Sequence, residues 1–185
     1  MSAASTPSLV SVQDYLEGEL HAVEKHEYLG GVIHAMAGAT TRHNEIALNA
    51  AASLLARLRG RPCRPHNADT KIRVQSPTQT RFYYPDASVV CDPRPGESLF
   101  QDQPVVLIEV LSPSTHRIDG GEKRDAYLTI PSLRVYLRVE PDRPHVLADR
   151  RGDHGFAAEL YEGEHAVIPL PEIDTELPVR ELYEA

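Results

Sequence analysis

Glu109 lies inside the run Val105-Val106-Leu107-Ile108-Glu109-Val110-Leu111. Burying an unpaired carboxylate there costs several kcal/mol, on the order of the penalty for any lone buried charge. It must therefore be paired, protonated or bound to a cation. Strand alternation sets Val105, Leu107, Glu109 and Leu111 on one face, so the charge interrupts an apolar surface. A buried arginine partner is the plain alternative. Asp86 follows Pro85 in Tyr83-Tyr84-Pro85-Asp86-Ala87-Ser88-Val89-Val90. Pro-Asp pairs are common in turns, yet apolar strand residues follow at once, which sets Asp86 inside or at the mouth of a strand. If the two strands are neighbours, their carboxylates converge at one place on the sheet. Two acid oxygens, completed by water and a phosphate oxygen, form the hard, open coordination that Mg²⁺ prefers. Such an ion polarises a phosphodiester and generates hydroxide for attack.

Lys123 is the third anomaly. Asp119-Gly120-Gly121-Glu122 reads as a helix start, with Asp119 as cap and Glu122 at the third helical position. Lys123 then falls in the first turn, where the helix dipole disfavours a cation by roughly 0.3–1 kcal/mol. Either it is a solvated surface lysine, or it accepts that cost to orient water or stabilise charge near a phosphate. Tyr127, one turn on, reads as a packing residue with its hydroxyl at the edge, and His43 opens a long helix. No pair among His34, His43, His66 and His116 has zinc spacing. There is no glycine-rich phosphate loop and no nucleophile elbow.

The elements that must position these groups can be read from periodicity. Ser11 to Glu17 predicts a short helix behind a serine cap. Glu27 to Gly31 turns into a strand over 32–36, closed by Gly38. Thr41 to Leu58 is the clearest helix, with Ile46, Leu48, Ala50, Leu54, Leu55 and Leu58 at helical spacing and Gly60 and Pro62 behind it. Residues 64–74 alternate loosely up to a Ser-Pro-Thr turn, and 81–91 read as one strand. The run from Pro104 to Leu111 has the character of a strand buried on both faces, ended by Pro113. A helix over about 120–130 and a strand over 134–139 follow. The remainder reads as short strands joined by polar turns. Helix, three strands, helix, strand calls for an α/β (α+β) arrangement, a mixed sheet flanked by helices with extra C-terminal β-strands.

The length of 185 residues fits a single domain, with a core over about 41–140 and a C-terminal β-extension over about 141–185. The apolar and charged fractions, 41% and 25%, are those of an ordinary globular chain. No apolar run approaches the roughly 20 residues needed to span a bilayer, and Met1-Ser2-Ala3-Ala4-Ser5 lacks the pattern of a signal peptide. The expected address is cytoplasmic, with Cys63 and Cys91 as half-buried free thiols. The net charge of −8 opposes tight non-specific DNA binding. Arg57, Arg59, Arg61 and Arg64, and then Lys71, Arg73 and Arg81, form either a nucleic-acid track or a solvated helix end and hairpin.

Taken together, the segments resemble the Uma family of putative endonucleases in the PD-(D/E)XK, restriction-endonuclease-like superfamily. The likeness runs over roughly residues 10–183. It rests on Glu27-Tyr28, Ala35-Met36-Ala37-Gly38, His43-Asn44, Asp69-Thr70-Lys71-Ile72-Arg73-Val74, Tyr84-Pro85-Asp86 through Cys91, and Ile108-Glu109-Val110-Leu111-Ser112-Pro113-Ser114-Thr115. It continues through Asp119, Lys123, Tyr127 and Pro131-Ser132-Leu133. The resemblance implies a metal-dependent endonuclease acting on DNA, using Mg²⁺ (or Mn²⁺) held by Asp86 and Glu109. The superfamily places a lysine two residues after the second acid, where this chain has Leu111, and Lys123 fits the family's relocated lysine. Asp69 matches a further family position, as an added metal ligand or a cap on the site. Gly30 stands where Asp is usual in the Glu-Tyr-x-Asp-Gly motif, a departure that touches a turn. Asp86, Glu109 and Lys123 are the expected catalytic residues, with His43, Tyr127 and Asp69 as additional candidates. DNA contact would be weak or partner-assisted, and a homodimer follows by analogy, since one such site cuts one strand. The alternative is a catalytically inactive nuclease-fold module for binding or assembly; a third option is hydrolysis of RNA or another phosphate ester.

Overall fold

The computed structural model describes residues 9–112 and 119–184. Helix α1 (Val12–Glu19) starts behind Ser11, whose side chain accepts a hydrogen bond from the Asp14 amide. Strands β1 (His26–Leu29) and β2 (Val32–Ala35) form an antiparallel hairpin. Its two-residue loop has positive φ at both Gly30 (58°) and Gly31 (105°), a conformation that glycine enters without strain. The glycine at position 30 thus suits this turn.

Helix α2 (Thr41–Leu58) is capped by the Thr40 hydroxyl. Its buried line, Ile46, Ala50, Leu54 and Leu58, is spaced by four residues, while Leu48 and Leu55 are exposed. The helix therefore presents one narrow apolar stripe to the sheet. Strands β3 (Arg64–Asn67), β4 (Lys71–Gln75), β5 (Thr80–Tyr83), β6 (Ala87–Val90), β7 (Phe100–Gln101) and β8 (Pro104–Val110) follow. Next come helix α3 (Asp119–Leu128), strands β9 (Val135–Val139), β10 (His145–Gly152), β11 (Gly155–Glu162) and β12 (Val167–Leu170), a 3₁₀ turn at Pro171–Ile173, strand β13 (Thr175–Pro178) and helix α4 (Val179–Tyr183).

These strands form a six-stranded sheet in the order β11-β10-β9-β8-β6-β3, a five-stranded sheet β2-β1-β5-β4-β7, and the β12-β13 ladder. Strands β8 and β9 are parallel, an arrangement that requires a crossover, which the segment containing α3 provides. Strands β10 and β11 extend the same sheet as β8 and β9. Val106, Ile108 and Val110 of β8 join the large core under α2, while Leu107 joins a second core with Ala126, Tyr127, Leu133 and Tyr136. Strand β8 is thus covered on both faces, as its unbroken apolar run implies.

Three expectations need correction. Residues 81–91 are not one strand: β5 pairs in the five-stranded sheet and β6 in the six-stranded one. Tyr84-Pro85-Asp86 is the passage between them, where Pro85 has no amide to offer a ladder. Asp119 belongs to α3 rather than preceding it, so Lys123 is the fifth helical residue and sits beyond the first turn. Finally, Cys63 and Cys91 are not free thiols but a disulfide. They follow directly from the antiparallel β3–β6 register, in which Arg64 faces Val90. The expected end of the β8 strand at Pro113, and His116, lie outside the described residues.

Candidate active site

The antiparallel β6–β8 ladder sets Ala87 opposite Ile108. One step further along that register brings Asp86 and Glu109 to the same end of the sheet. Asp86 Oδ2 accepts a hydrogen bond from the Val110 amide at 2.7 Å, which fastens it to the neighbouring strand. Nε2 of His43, from the first turn of α2, lies 3.3 Å from the same oxygen. The hydrogen bond to Asp86 raises the His43 pKa above its ordinary 6.5, against the opposing effect of burial.

Glu109 projects on the Leu107 face, toward α3. Lys123 Nζ lies 2.9 Å from Glu109 Oε1 and 2.9 Å from Glu27 Oε1. The Tyr127 hydroxyl, one turn beyond Lys123, donates to Glu109 Oε1 at 3.1 Å. Burial pushes the Glu109 carboxyl up to about 7; the Lys123 charge pulls it down and the Asp86 charge adds to the rise. Burial works against the Lys123 cation, but Glu109 and Glu27 outweigh it and raise its pKa, so it stays charged. The rings of Tyr83, Tyr127 and Tyr136 pack edge to face, with centroids 5.4 and 5.5 Å apart, and wall off the base of the site. Such pairs contribute about 0.5–1.5 kcal/mol each beyond their buried area.

Asp86, Glu109, Lys123, His43 and Tyr127 are thus linked at one end of the sheet. Asp69 stands apart from them: its carboxylate is 70% exposed and pairs with Lys25 Nζ at 2.5 Å. Glu27 is the participant that residue-level reading missed. In the sequence it is one acid before a Gly-Gly turn, and nothing local shows that it is brought to a helical lysine 96 residues away.

Two hard carboxylates at adjacent register positions suit Mg²⁺ or Mn²⁺, and Mg²⁺ is commonly held by one or two carboxylates plus water and phosphate oxygens. Among the described residues, no group of three or more His, Cys, Asp or Glu side chains is gathered to hold a metal ion. Any such ion would therefore rely on water and substrate for most of its shell.

A mixed sheet carrying an acid pair at one strand end, with a helical lysine over it, is the layout of a restriction-endonuclease-like nuclease fold. The chain belongs to the Uma2 family, described as "putative restriction endonuclease", whose model matches residues 12–180. It is 37% identical over 154 residues to an uncharacterized protein of Synechocystis sp. PCC 6803, covering 83% of this chain and 80% of that one. A second uncharacterized Synechocystis protein is 29% identical over 147 residues, covering 76% and 80%. Among solved structures, a "putative nuclease belonging to DUF820" from Anabaena variabilis superimposes with a TM-score of 0.69 at 19% identity, covering 91% of this chain and 96% of that one.

Proposed function

We propose that this protein is a Mg²⁺ (or Mn²⁺)-dependent endonuclease that hydrolyses DNA phosphodiester bonds, with Asp86 and Glu109 as metal ligands and Lys123 beside them. The observation that carries this reading is the 2.9 Å contact from Lys123 Nζ to Glu109 Oε1. It brings to the second acid, from α3, the cation that Leu111 cannot supply from the strand. A bound divalent ion would supply Lewis-acid polarisation of the phosphodiester and a more acidic water. Tyr127 and Lys123 hold Oε1 of Glu109, and His43 and the Val110 amide hold Oδ2 of Asp86. Each carboxylate is thereby oriented by one oxygen, and the metal would use the other. Glu27 keeps Lys123 in place before substrate arrives, and a phosphate oxygen competes with it for the ammonium once substrate is bound.

The second reading, a nuclease-fold binding or assembly module without catalysis, is favoured by one observation. Lys123 is shared between Glu27 and Glu109, so Glu109 has a cationic partner within the chain. Nicking of supercoiled plasmid in Mg²⁺ or Mn²⁺ separates the two. The nuclease reading predicts nicking by wild type and none by Glu109→Ala; equal nicking by both means that the activity comes from elsewhere. A homodimer and weak or partner-assisted DNA contact belong to the same proposal. So does a cytoplasmic address, against which the Cys63–Cys91 bond counts, because a reducing compartment opens such bonds. None of the described helices is long and apolar enough to cross a membrane.

A further inference from the structure

Four of the six arginines that could have formed a DNA track are ion-paired within the chain. Arg57 pairs with Glu181, Arg61 with Asp174, Arg73 with Asp102 and Arg81 with Glu122. Lys71 differs. It is only 8% exposed, yet among the described residues no carboxylate lies within 4 Å of its ammonium. Instead Lys71 Nζ sits over the ring of Tyr84, 5.1 Å from the centroid. Lys25 Nζ lies over the same ring at 5.5 Å. Burial lowers the Lys71 pKa; Glu19 opposes this, and the smaller repulsion from Lys25 adds to the lowering. Glu19 is itself engaged by the Tyr84 hydroxyl at 2.7 Å and by His26 at 2.8 Å. Lys25 is held by the exposed Asp69 carboxylate at 2.5 Å and donates to the Ala68 carbonyl at 2.9 Å, whereas Lys71 has Glu19 only beyond ion-pair distance, so its ammonium suits an anion supplied from outside.

The position suits a particular anion. Tyr84 stands two residues before Asp86, a reach of about 7 Å along an extended chain. Its backbone amide also touches Glu27, the Lys123 partner, at 3.5 Å. Each DNA strand carries one phosphate per about 3.4 Å of helix axis. A cation pair at this reach would meet a backbone phosphate one or two nucleotides from a scissile group. We propose that Lys25 and Lys71, set around the Tyr84 ring, bind a DNA backbone phosphate flanking the bond to be cut. Asp69, whose carboxylate holds Lys25, then acts as an exposed competitor that the phosphate displaces rather than as a metal ligand. This inference rests on the nuclease reading for the choice of DNA, but it concerns binding and is testable without cleavage.

The test is fluorescence anisotropy of a labelled DNA duplex with the full chain in EDTA, titrated at several salt concentrations. Lys25→Gln and Lys71→Met each weaken binding about tenfold at 0.1 M salt and reduce the slope of log K against log salt, the two together by about 0.9, the value for one phosphate. Lys71→Arg retains the slope, which separates loss of charge from loss of fold. Asp69→Asn tightens binding; if Asp69 were a metal ligand, that variant would leave EDTA binding unchanged and weaken Mn²⁺ binding instead. Unchanged slopes in the lysine variants, undetectable duplex binding at low salt, or tighter binding of RNA of the same sequence each overturn the proposal. Failure of plasmid nicking with the slopes as stated overturns the nuclease reading alone.

Discussion

At the scale of single residues, Glu109 was legible and Glu27 was not, for a physical reason. A charge inside an apolar run announces its need for a partner, and the structure supplies Lys123 and Tyr127. Glu27 occupies a hairpin strand of mixed character, so only the folded geometry brings it to Lys123. Asp86 stood out only by its Tyr-Pro-Asp context, because its anchoring bond comes from the backbone of another strand. Glu19 had no signal at all, yet its side chain is 5% exposed. Burial opposes its charge, but hydrogen bonds from Tyr84 and His26 outweigh that and hold its pKa below the ordinary 4.5. A depressed carboxylate pKa adds stability above the unfolded value and loses it as pH falls through the folded one. Unfolding free energy should therefore decline below about pH 4.5, and Glu19→Gln should flatten that acid limb. An identical limb in the variant would remove Glu19 from the account of acid stability.

At the scale of elements, the long helix could be read at its observed limits because cap, stripe and stop agree locally. Its two kinds of leucine give a paired prediction. Leu54 is fully buried and Leu55 is 49% exposed. Leu54→Ala should cost about 2–5 kcal/mol in urea unfolding, and Leu55→Ala within about 0.5 kcal/mol. Equal effects would contradict the docking of α2 on the sheet. The break between β5 and β6 was hidden because the apolar pattern continues through it. Which sheet a strand joins depends on partners distant in sequence, and only Pro85 hinted at a division. Helix α4 escaped notice because five residues are too few for a periodic signal; α2 and β13 hold it in place through Val179 and Leu182, both fully buried.

At the scale of the whole molecule, the net charge of −8 argued against a nucleic-acid protein, but it averages over faces that differ. Arg57, Arg61, Arg73 and Arg81 from the basic clusters visible in sequence are paired with acids inside the chain, whereas Lys25 and Lys71, 46 positions apart, lie over one ring. The disulfide was equally invisible, since pairing Cys63 with Cys91 depends on the β3–β6 register. Closing a loop with a sequence separation of 28 contributes roughly 3–4 kcal/mol in the chain-entropy model. Reduction should therefore lower the melting temperature by roughly 6–15 °C in a chain of this size; an unchanged midpoint after verified reduction would show that the bond does not stabilise the fold. All of these parts serve the claim that a lysine carried by α3 completes an acid pair carried by the sheet. The most direct measurement is the single-turnover rate of plasmid nicking in Mn²⁺ by wild type and by Lys123→Met, with folding of both checked by circular dichroism. The account predicts a loss of about 10²–10³-fold in the variant, the scale of removing one group that stabilises transition-state charge; equal rates from two folded proteins would contradict it.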